Sequence, residues 1–310
     1  MTKTCYVCLK GGADENGYHP KCATSLFGST TIPKLGIELG KMHTAALAMV
    51  GKASLSGVQK KISVNISADR ETLQVASGKG FYILKPPTDT YPSLPENEHI
   101  TMLLAKLSGL RVGEFGLIRI EGNALGFLTK RFDRNDDGSK VHQEDFCQLS
   151  ELPPSAKYDG SGEHCAKIIN RFASEPGIEL LRLFEHLVYS WWVGNGDLHL
   201  KNLSLMVDRD GIVKLTPAYD LVSTMLVIPD DPLAMPICGR DKKFQRSTWL
   251  TFAAYCGIAD KAAIRVLDRQ ANVVSNAITL IQRSFLPEAM KEDLRKIVEI
   301  RSEVLLKKMT

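Results

Sequence analysis

The sequence predicts an α+β fold with two lobes, a β-rich first lobe and a mostly helical second lobe. Two early runs, Ile62–Ile66 and Phe81–Lys85, alternate apolar and polar residues in part, as strands with one buried face do. Beyond the turn at Asp136-Asp137-Gly138 the chain is instead predicted to be mostly helical. With 310 residues, the chain is longer than one small domain requires, which agrees with two lobes.

The elements are predicted in the following order. A Cys-, His- and Gly-rich head comes first, and a linker with a short helix follows it over 29–50. Pro86-Pro87 ends the second strand, and a helix over about 96–108 then carries apolar residues at helical spacing up to Gly109. Further strands are predicted at about 115–120 and 125–132, and helices at about 164–174, 178–194, 260–283 and 287–308.

These elements suggest three segments. Residues 1–50 would be the head and linker, 51–134 the first lobe, and 135–310 the helical second lobe. A cleft between two lobes is a common place for a ligand.

Composition excludes several classes of protein. Apolar residues make up 44% and charged residues 24%, so long disorder and collagen-like repetition are excluded. No apolar run reaches the roughly 18 residues of a membrane-spanning helix, and the start lacks the apolar run of a signal peptide. We therefore expect a cytoplasmic protein. The net charge of +4 is only mildly basic and does not indicate nucleic-acid binding.

The most informative segment is Gly194-Asn-Gly-Asp197-Leu-His-Leu-Lys-Asn202, which precedes a predicted hairpin and then Asp220. Phosphoryl transfer uses this set of groups: one carboxylate orients or accepts the proton of the acceptor hydroxyl, while an amide and a second carboxylate hold magnesium. We expect the hairpin, of Leu203–Val207 and Ile212–Thr216, to bring Asp220 beside Asn202. The alternative is a structural loop, since Asn-Gly-Asp is also an ordinary turn.

Such a site also needs a group for the nucleotide phosphates, and Lys85 at a predicted strand end is the candidate. Glu98 on the next helix is predicted to pair with it, as the strand lysine and helix glutamate do in protein kinases. Glu96 is the alternative partner, and a surface lysine is the alternative for Lys85. Upstream, the hydroxyl-rich segment Ser54–Lys61 is suited to capping phosphates with backbone N–H groups.

The cysteines suggest a metal rather than disulfides. Seven is an odd number, and a chain without an export signal favours metal binding or plain burial. In the head, Cys5-x2-Cys8 and His19-x2-Cys22 provide four soft ligands at a spacing typical of structural Zn²⁺. The alternative is a metal-free β-hairpin with buried thiols.

Several further strings carry a family resemblance. In chain order they are the Ser-x-x-Gly-x-Gln-x-Lys loop, Ile83-Leu-Lys85-Pro-Pro, Glu96-Asn-Glu98, Lys130-Arg-Phe-Asp-Arg134, His142-Gln-Glu-Asp-Phe-Cys-Gln148, Asn195-Gly-Asp-x-His-x-Lys-Asn202 and Pro217-Ala-Tyr-Asp-Leu221. Together they resemble the HipA family of bacterial serine/threonine kinase toxins. The resemblance implies a bilobal HipA/PI3K-like protein kinase fold with ATP and Mg²⁺ between the lobes.

By motif, the resemblance also implies residue roles. Asp197 would be the catalytic base, and Asn202 and Asp220 would be Mg²⁺ ligands. The ATP-binding residues it implies are Ser56, Gly57, Val58, Gln59, Lys85, Lys130, Phe132, His199, Lys201, Asn202 and Asp220. Of these, the backbone of Lys130 and Phe132 would form the hinge to adenine. Known targets in the family are aminoacyl-tRNA synthetases, whose phosphorylation stops charging and growth.

The chain departs from longer HipA proteins, which carry an extra N-terminal subdomain before the phosphate loop. In this respect it is similar to the short HipT branch of the tripartite HipBST systems. There a small separate protein takes the missing part as antitoxin, and a DNA-binding helix-turn-helix protein completes the set. The resemblance thus implies HipS-like and HipB-like partners. It also implies autophosphorylation of Ser54, Ser56 or both, for which plain turn residues are the alternative.

The leading hypothesis is therefore a serine/threonine protein kinase toxin of a type II toxin–antitoxin system, regulated by autophosphorylation of its serine loop. Its target is expected to be an aminoacyl-tRNA synthetase. A small-molecule kinase shares the Asp…Asn…Asp pattern, but the HipA-specific strings disfavour it. The non-enzyme alternative is an idle scaffold for a DNA-binding antitoxin. It is disfavoured because the chain keeps all four residues that kinase activity needs, namely Lys85, Asp197, Asn202 and Asp220.

Overall fold

The computed structural model describes residues 3–36, 60–76, 80–120, 122 and 124–307. The chain divides into two compact units. The first consists of Met1–Leu103, Gly113–Lys140 and Gln282–Pro287, and the second of Leu104–Val112, Val141–Ile281 and Glu288–Thr310. The predicted short helix before residue 50 and the Ser54–Gln59 part of the phosphate loop lie outside the described residues.

The first unit is built on a sheet with the strand order β1-β3-β2-β4-β6-β5. Its strands are β1 Lys34–Leu35, β2 Ile62–Ile66, β3 Thr72–Val75, β4 Tyr82–Lys85, β5 Phe115–Arg119 and β6 Leu125–Lys130. β1 pairs with β3 in parallel, and the other neighbours pair antiparallel. Four strands match the predicted ones. β3 was not predicted, because it is short and buries Leu73 alone.

The Cys/His-rich head shares the core of this unit. Its helix α1, Pro20–Phe27, starts with a proline in its first turn and ends at Gly28, whose φ of 70° lies in the left-handed region. Leu26 and Phe27 pack in one apolar cluster with Ile62 of β2 and Leu128 of β6. The head is therefore folded onto the sheet and is not an appendage.

Helix α2, Leu94–Leu107, is the predicted helix that begins two residues early. Its buried residues include the apolar Ile100 and Leu104, but also Glu98 and His99, which are almost fully buried. Charged groups are rarely buried unless they are paired. This helix therefore presents a partner-requiring carboxylate inside the unit.

The remaining elements lie mainly in the second unit. They are β7 Gln143–Asp145, α3 Phe146–Leu149, α4 Gly162–Phe172, α5 Pro176–Val193, β8 Ser204–Val207, β9 Val213–Leu215, α6 Arg246–Tyr255, α7 Asp260–Asn272, α8 Val274–Arg283 and α9 Glu288–Leu306. The helix predicted over 260–283 is two helices, α7 and α8, which divide at Val273 without a glycine or proline to mark the break. Strands β7, β8 and β9 form a small antiparallel sheet in that order.

The central helix of the second unit is α5. Leu183, Phe184, Leu187 and Trp192 on it are almost completely buried, so the helix is covered on several faces. Among the described residues, no helix combines the length and the apolar composition that crossing a membrane requires. The position of α5 matters because its C-terminus leads directly into the Asp197 loop.

Candidate active site

The loop that carries Asp197 begins where α5 ends. Gly194 has a φ of 78°, which residues with a Cβ rarely adopt. Its N–H ends the helix by donating to the backbone carbonyls of Ser190 and Trp191. The N–H of Asp197 donates to Asn195 Oδ1 at 2.9 Å, in a local turn. Because Asn195 is buried, this turn fixes the backbone on the N-terminal side of Asp197.

Asn202 closes the loop from the other side. Its Nδ2 donates to the backbone carbonyl of Asp197 at 2.9 Å, which turns Oδ1 to the opposite side of the amide group. Residues Leu200–Asn202 form a 3₁₀ turn that permits this return over five residues. The pair therefore offers a carboxylate and an amide oxygen on one short loop, the hard donors that suit Mg²⁺.

The hairpin of β8 and β9 returns the chain to the same loop. Tyr219 donates its hydroxyl to the carbonyl of Lys201 at 3.0 Å, and the same hydroxyl lies 2.6 Å from Ser204 Oγ. Tyr219, which precedes Asp220, is thus hydrogen-bonded to Lys201, which precedes Asn202. Asp220 itself has a φ of 54°, a left-handed conformation that costs of order 1–3 kcal/mol in a residue with a Cβ.

A tyrosine that sequence reasoning missed contacts Asp197. Tyr158 donates its hydroxyl to Asp197 Oδ1 at 2.7 Å, although its side chain is 42% exposed. His199 Nε2 lies 3.8 Å from the same carboxylate oxygen, and the rings of Tyr158 and His199 meet edge to face at 5.1 Å. Tyr158 belongs to an irregular stretch without periodicity, so no signal in the sequence marks it.

Two more carboxylates that were not predicted, Asp145 and Asp231, contact residues that hold the Asp197 loop. Lys201 is ion-paired with Asp145 at 2.7 Å, and Asp145 also caps α3. Gly196 donates its N–H to Thr224 Oγ1 at 2.7 Å, and Thr224 hydrogen-bonds to Asp231. Asp145 stood within the His142–Gln148 string, so its position was visible in the sequence but its partner was not.

In the first unit, Lys85 forms a buried ion pair with Glu98. The two side chains are 2% and 1% exposed, so the alternative of a surface lysine is wrong. Lys85 Nζ also lies 5.6 Å from the centre of the Phe127 ring. Glu98 and not Glu96 therefore forms the ion pair with Lys85. The pKa of Glu96 is raised by burial.

The expected hinge lies at the end of β6. The N–H of Lys130 donates to the carbonyl of Glu114 at 2.8 Å, so this N–H already has a partner within the first unit. Beyond it, Asp133 is held by Arg131 and Arg134, each at 2.6 Å. Burial opposes ionisation of Asp133, but the hydrogen bond and charge of Arg131 and the charge of Arg134 outweigh it and lower its pKa.

Phe132, two residues beyond the end of β6, is half-buried. The other predicted site residues fall into two groups. Ser54, Ser56, Gly57, Val58 and Gln59 lie outside the described residues. The four head ligands lie inside them, and the ligand atoms of Cys5, Cys8, His19 and Cys22 are all within 4.8 Å of one another. Within the described residues, this is the one group of at least three such side chains that converges closely enough for a metal ion.

Comparison with known proteins gives a consistent result. Residues 53–278 match the family of HipA-like C-terminal domains. The chain is 33% identical to "Putative kinase Y4mE" of Sinorhizobium fredii over 67% of its own length and 51% of that protein. It is 29% identical to the serine/threonine-protein kinase toxin HipA of Shewanella oneidensis over 56% of its length and 43% of that protein. The chain therefore spans about half the length of these relatives.

Solved structures show the same fold. The Shewanella oneidensis HipA, in a complex with HipB and operator DNA, superimposes with a TM-score of 0.69 and 24% identity, over 81% of this chain and 65% of that one. The Helicobacter pylori proinflammatory kinase CtkA superimposes with a TM-score of 0.55 and 18% identity, over 78% of this chain and 92% of that one. The predicted α+β kinase-like fold, with a β-rich and a helical unit, is confirmed.

Proposed function

Because the chain belongs to the HipA family, whose C-terminal domain it matches over residues 53–278, we propose that it is a serine/threonine protein kinase. The observation that carries this proposal is the Asp197 loop. There the side-chain amide of Asn202 is hydrogen-bonded to the backbone of Asp197. The same loop is hydrogen-bonded, through Tyr219, to the segment of the strained Asp220. Phosphoryl transfer needs this set of groups.

In this proposal Asp197 accepts the proton of the acceptor hydroxyl. The oxygen of that hydroxyl bonds to the γ-phosphorus of ATP as the bond from this phosphorus to the bridging oxygen of ADP breaks, and ADP leaves. Asn202 and Asp220 would hold Mg²⁺, which supplies positive charge against the phosphates. Lys85 would bind the phosphates, oriented by Glu98. His199, Lys201 and the backbone of Lys130 and Phe132 are proposed as the further nucleotide contacts, with the 56–59 loop as the phosphate cap.

The finer assignment is a toxin of the HipT branch. The proposed target is an aminoacyl-tRNA synthetase, which would place the activity in the cytoplasm. A HipB-like helix-turn-helix protein is the proposed DNA-binding partner, supported by the HipB in the similar Shewanella oneidensis complex. A small HipS-like protein is the proposed antitoxin. We expect no direct contact of this chain with nucleic acid.

Self-modification tests the proposal without knowledge of the target. Incubation of the purified chain with ATP and Mg²⁺ is expected to add one or two phosphates at Ser54, Ser56 or both, because the acceptors belong to the phosphate loop. A phosphate adds a charge of about −1.5 to −2 near the nucleotide phosphates, which would switch the activity. Intact-mass spectrometry with peptide mapping measures both the number of phosphates and their positions.

The matched variants are Ser54→Ala with Ser56→Ala, and Asp197→Asn. Labelling that persists in the serine variant would move the acceptor elsewhere, whereas labelling that persists in Asp197→Asn would refute the catalytic assignment. An unmodified chain that also labels no protein in an extract would favour an idle scaffold. Transfer to a small molecule alone would favour the small-molecule kinase.

Tyr158 provides a second, more specific prediction. Its hydroxyl donates to Oδ1 of Asp197, the carboxylate proposed to receive the acceptor proton, so it competes with the acceptor hydroxyl for this group. Tyr158→Phe removes a hydrogen bond to a charged group. Such a bond is worth about 1.5–3 kcal/mol, but water replaces part of it at a side chain that is 42% exposed, so kcat/KM is expected to rise severalfold in a phosphate-transfer assay. A decrease in kcat/KM would instead show that the tyrosine positions Asp197 for catalysis. Tyr255→Phe, on an exposed ring of α6, is the control.

A further inference from the structure

The head brings four possible zinc ligands together, with all ligand atoms within 4.8 Å of one another. Cys8 Sγ lies 3.4 Å from His19 Nδ1, and Cys22 Sγ lies 3.8 Å from the same nitrogen. Sulfur and nitrogen ligands of a tetrahedral Zn²⁺, bound at about 2.3 and 2.0 Å, are separated by about 3.6 Å. We propose that Cys5, Cys8, His19 and Cys22 bind one structural Zn²⁺ ion, and that this ion fixes the head on the sheet of the first unit.

The tautomer of His19 is set for this role. Its Nε2 lies 3.0 Å from the carbonyl oxygen of Gly11, which accepts a hydrogen bond and donates none. Nε2 must therefore carry the proton, and Nδ1 presents its lone pair toward the thiols of Cys8 and Cys22. Metal-binding histidines are commonly oriented by such a bond from the other ring nitrogen to a carbonyl.

The four residues lie on two turns, Cys5–Cys8 and His19–Cys22, which we call the first and second knuckle. The backbone of the first knuckle is also arranged for a thiolate. The N–H of Val7 points to Cys5 Sγ at 3.4 Å, a contact that stabilises negative charge on sulfur. Leu9 completes the turn with a φ of 59°, and its N–H donates to the carbonyl of Cys5 at 3.0 Å. A disulfide would join only two of the three sulfurs and would leave His19 Nδ1 without a use.

The two knuckles are joined to each other and to the sheet. Tyr6, between Cys5 and Cys8, donates its N–H to the carbonyl of Gly17 at 2.9 Å and accepts the N–H of Leu117 at 2.9 Å. Tyr18, next to His19, donates its hydroxyl to the carbonyl of Leu117 at 2.7 Å. Leu117 lies in β5, an edge strand of the sheet. The head thus covers an edge that would otherwise expose backbone groups.

One contact connects the knuckle to the helix of Glu98. His99 Nε2 lies 3.2 Å from the carbonyl of Val7, and burial lowers the pKa of His99 to about 4, so the ring is neutral and donates to that carbonyl. His99 directly follows Glu98, the partner of Lys85. Loss of the ion is therefore expected to loosen both the sheet edge and α2, which makes the site structural and not catalytic.

Metal content tests the proposal independently of phosphate transfer. The full chain, purified without added metal, is expected to contain about one zinc per molecule by plasma mass spectrometry. Cys8→Ser and Cys22→Ser should retain less than about a tenth of it after dialysis against EDTA, and Cys238→Ser, a thiol outside the head, should retain all of it. The thermal midpoint of the wild type should fall by several degrees with a strong chelator and recover with added zinc.

Two further measurements cover the case in which Cys8→Ser and Cys22→Ser do not fold. Co²⁺ exchanged into the wild type should give the thiolate charge-transfer and d–d bands of a tetrahedral sulfur-rich site. His19→Cys keeps four ligands and should keep the zinc. The proposal would be overturned if the wild type lacked zinc or contained a head disulfide, seen as a mass 2 Da lower. It would also be overturned if Cys22→Ser held zinc as well as the wild type does.

Discussion

Replacing Asp197 by asparagine is expected to reduce phosphate transfer by about 10²–10⁴-fold, the usual contribution of a general base. The substitution keeps the shape of the side chain, including an oxygen that can accept the Tyr158 hydroxyl, but removes the basic carboxylate. The backbone contacts that hold the loop, from Asn195 and Asn202, do not use the Asp197 side chain. The free energy of unfolding should therefore change little. Initial rates with labelled ATP, alongside denaturant unfolding, measure both quantities.

The matched control for this substitution is Asp210→Asn. Asp210 is an exposed carboxylate in the turn between β8 and β9, in the same unit of the protein. It should leave the rate within about twofold of the wild type, since exposed carboxylates far from reacting groups contribute little. A normal rate in Asp197→Asn, or an equal loss in both variants, would contradict the assignment of Asp197 as the base.

The second large effect is expected at the Lys85–Glu98 pair. Lys85→Met leaves the Glu98 carboxylate buried without its cation, and breaking a buried pair in this way costs about 3–5 kcal/mol of the free energy of unfolding. The variant should also lose phosphate transfer, since the proposed phosphate-binding charge is gone. Denaturant unfolding and the transfer assay separate the structural loss from the functional loss.

A double variant distinguishes the two roles. Lys85→Met with Glu98→Leu replaces the pair by apolar groups of similar size, which is often neutral for stability. The fold is expected to recover most of its stability while transfer stays absent. Lys214→Met, which breaks a more exposed pair with Asp208, is the control and should have a much smaller effect on stability. Recovery of transfer in the double variant would show that Lys85 has only a structural role.

Local sequence determined much of the fold and of the site. The strands β2, β4, β5 and β6 and helices α2, α4, α5 and α9 follow from apolar periodicity and from Gly and Pro stops, which are properties of neighbouring residues. Asp197 and Asn202 share one loop, so their short spacing already placed them together. The same holds within each cysteine knuckle.

Other features had a weak local signal or none, although Pro20 and Gly28 mark the two ends of α1. β3 and α1 are short and gain their stability from the core that they join, and the division of α7 from α8 at Val273 follows neither a glycine nor a proline. Element formation of this kind depends on tertiary packing more than on propensity. For the same reason the sequence treated the head as a separate segment, whereas its apolar residues lie in the core of the sheet.

The sequence alone therefore determined which residue types the chain carries for phosphoryl transfer and metal binding, and in which order. Only the tertiary structure decided the partners. For Lys85 it chose the predicted Glu98 over the alternative Glu96, and it added two partners that were not predicted, Asp145 for Lys201 and Tyr158 for Asp197. A buried charge takes the partner that the surrounding packing brings within hydrogen-bond distance, and that depends on contacts between residues far apart in the chain.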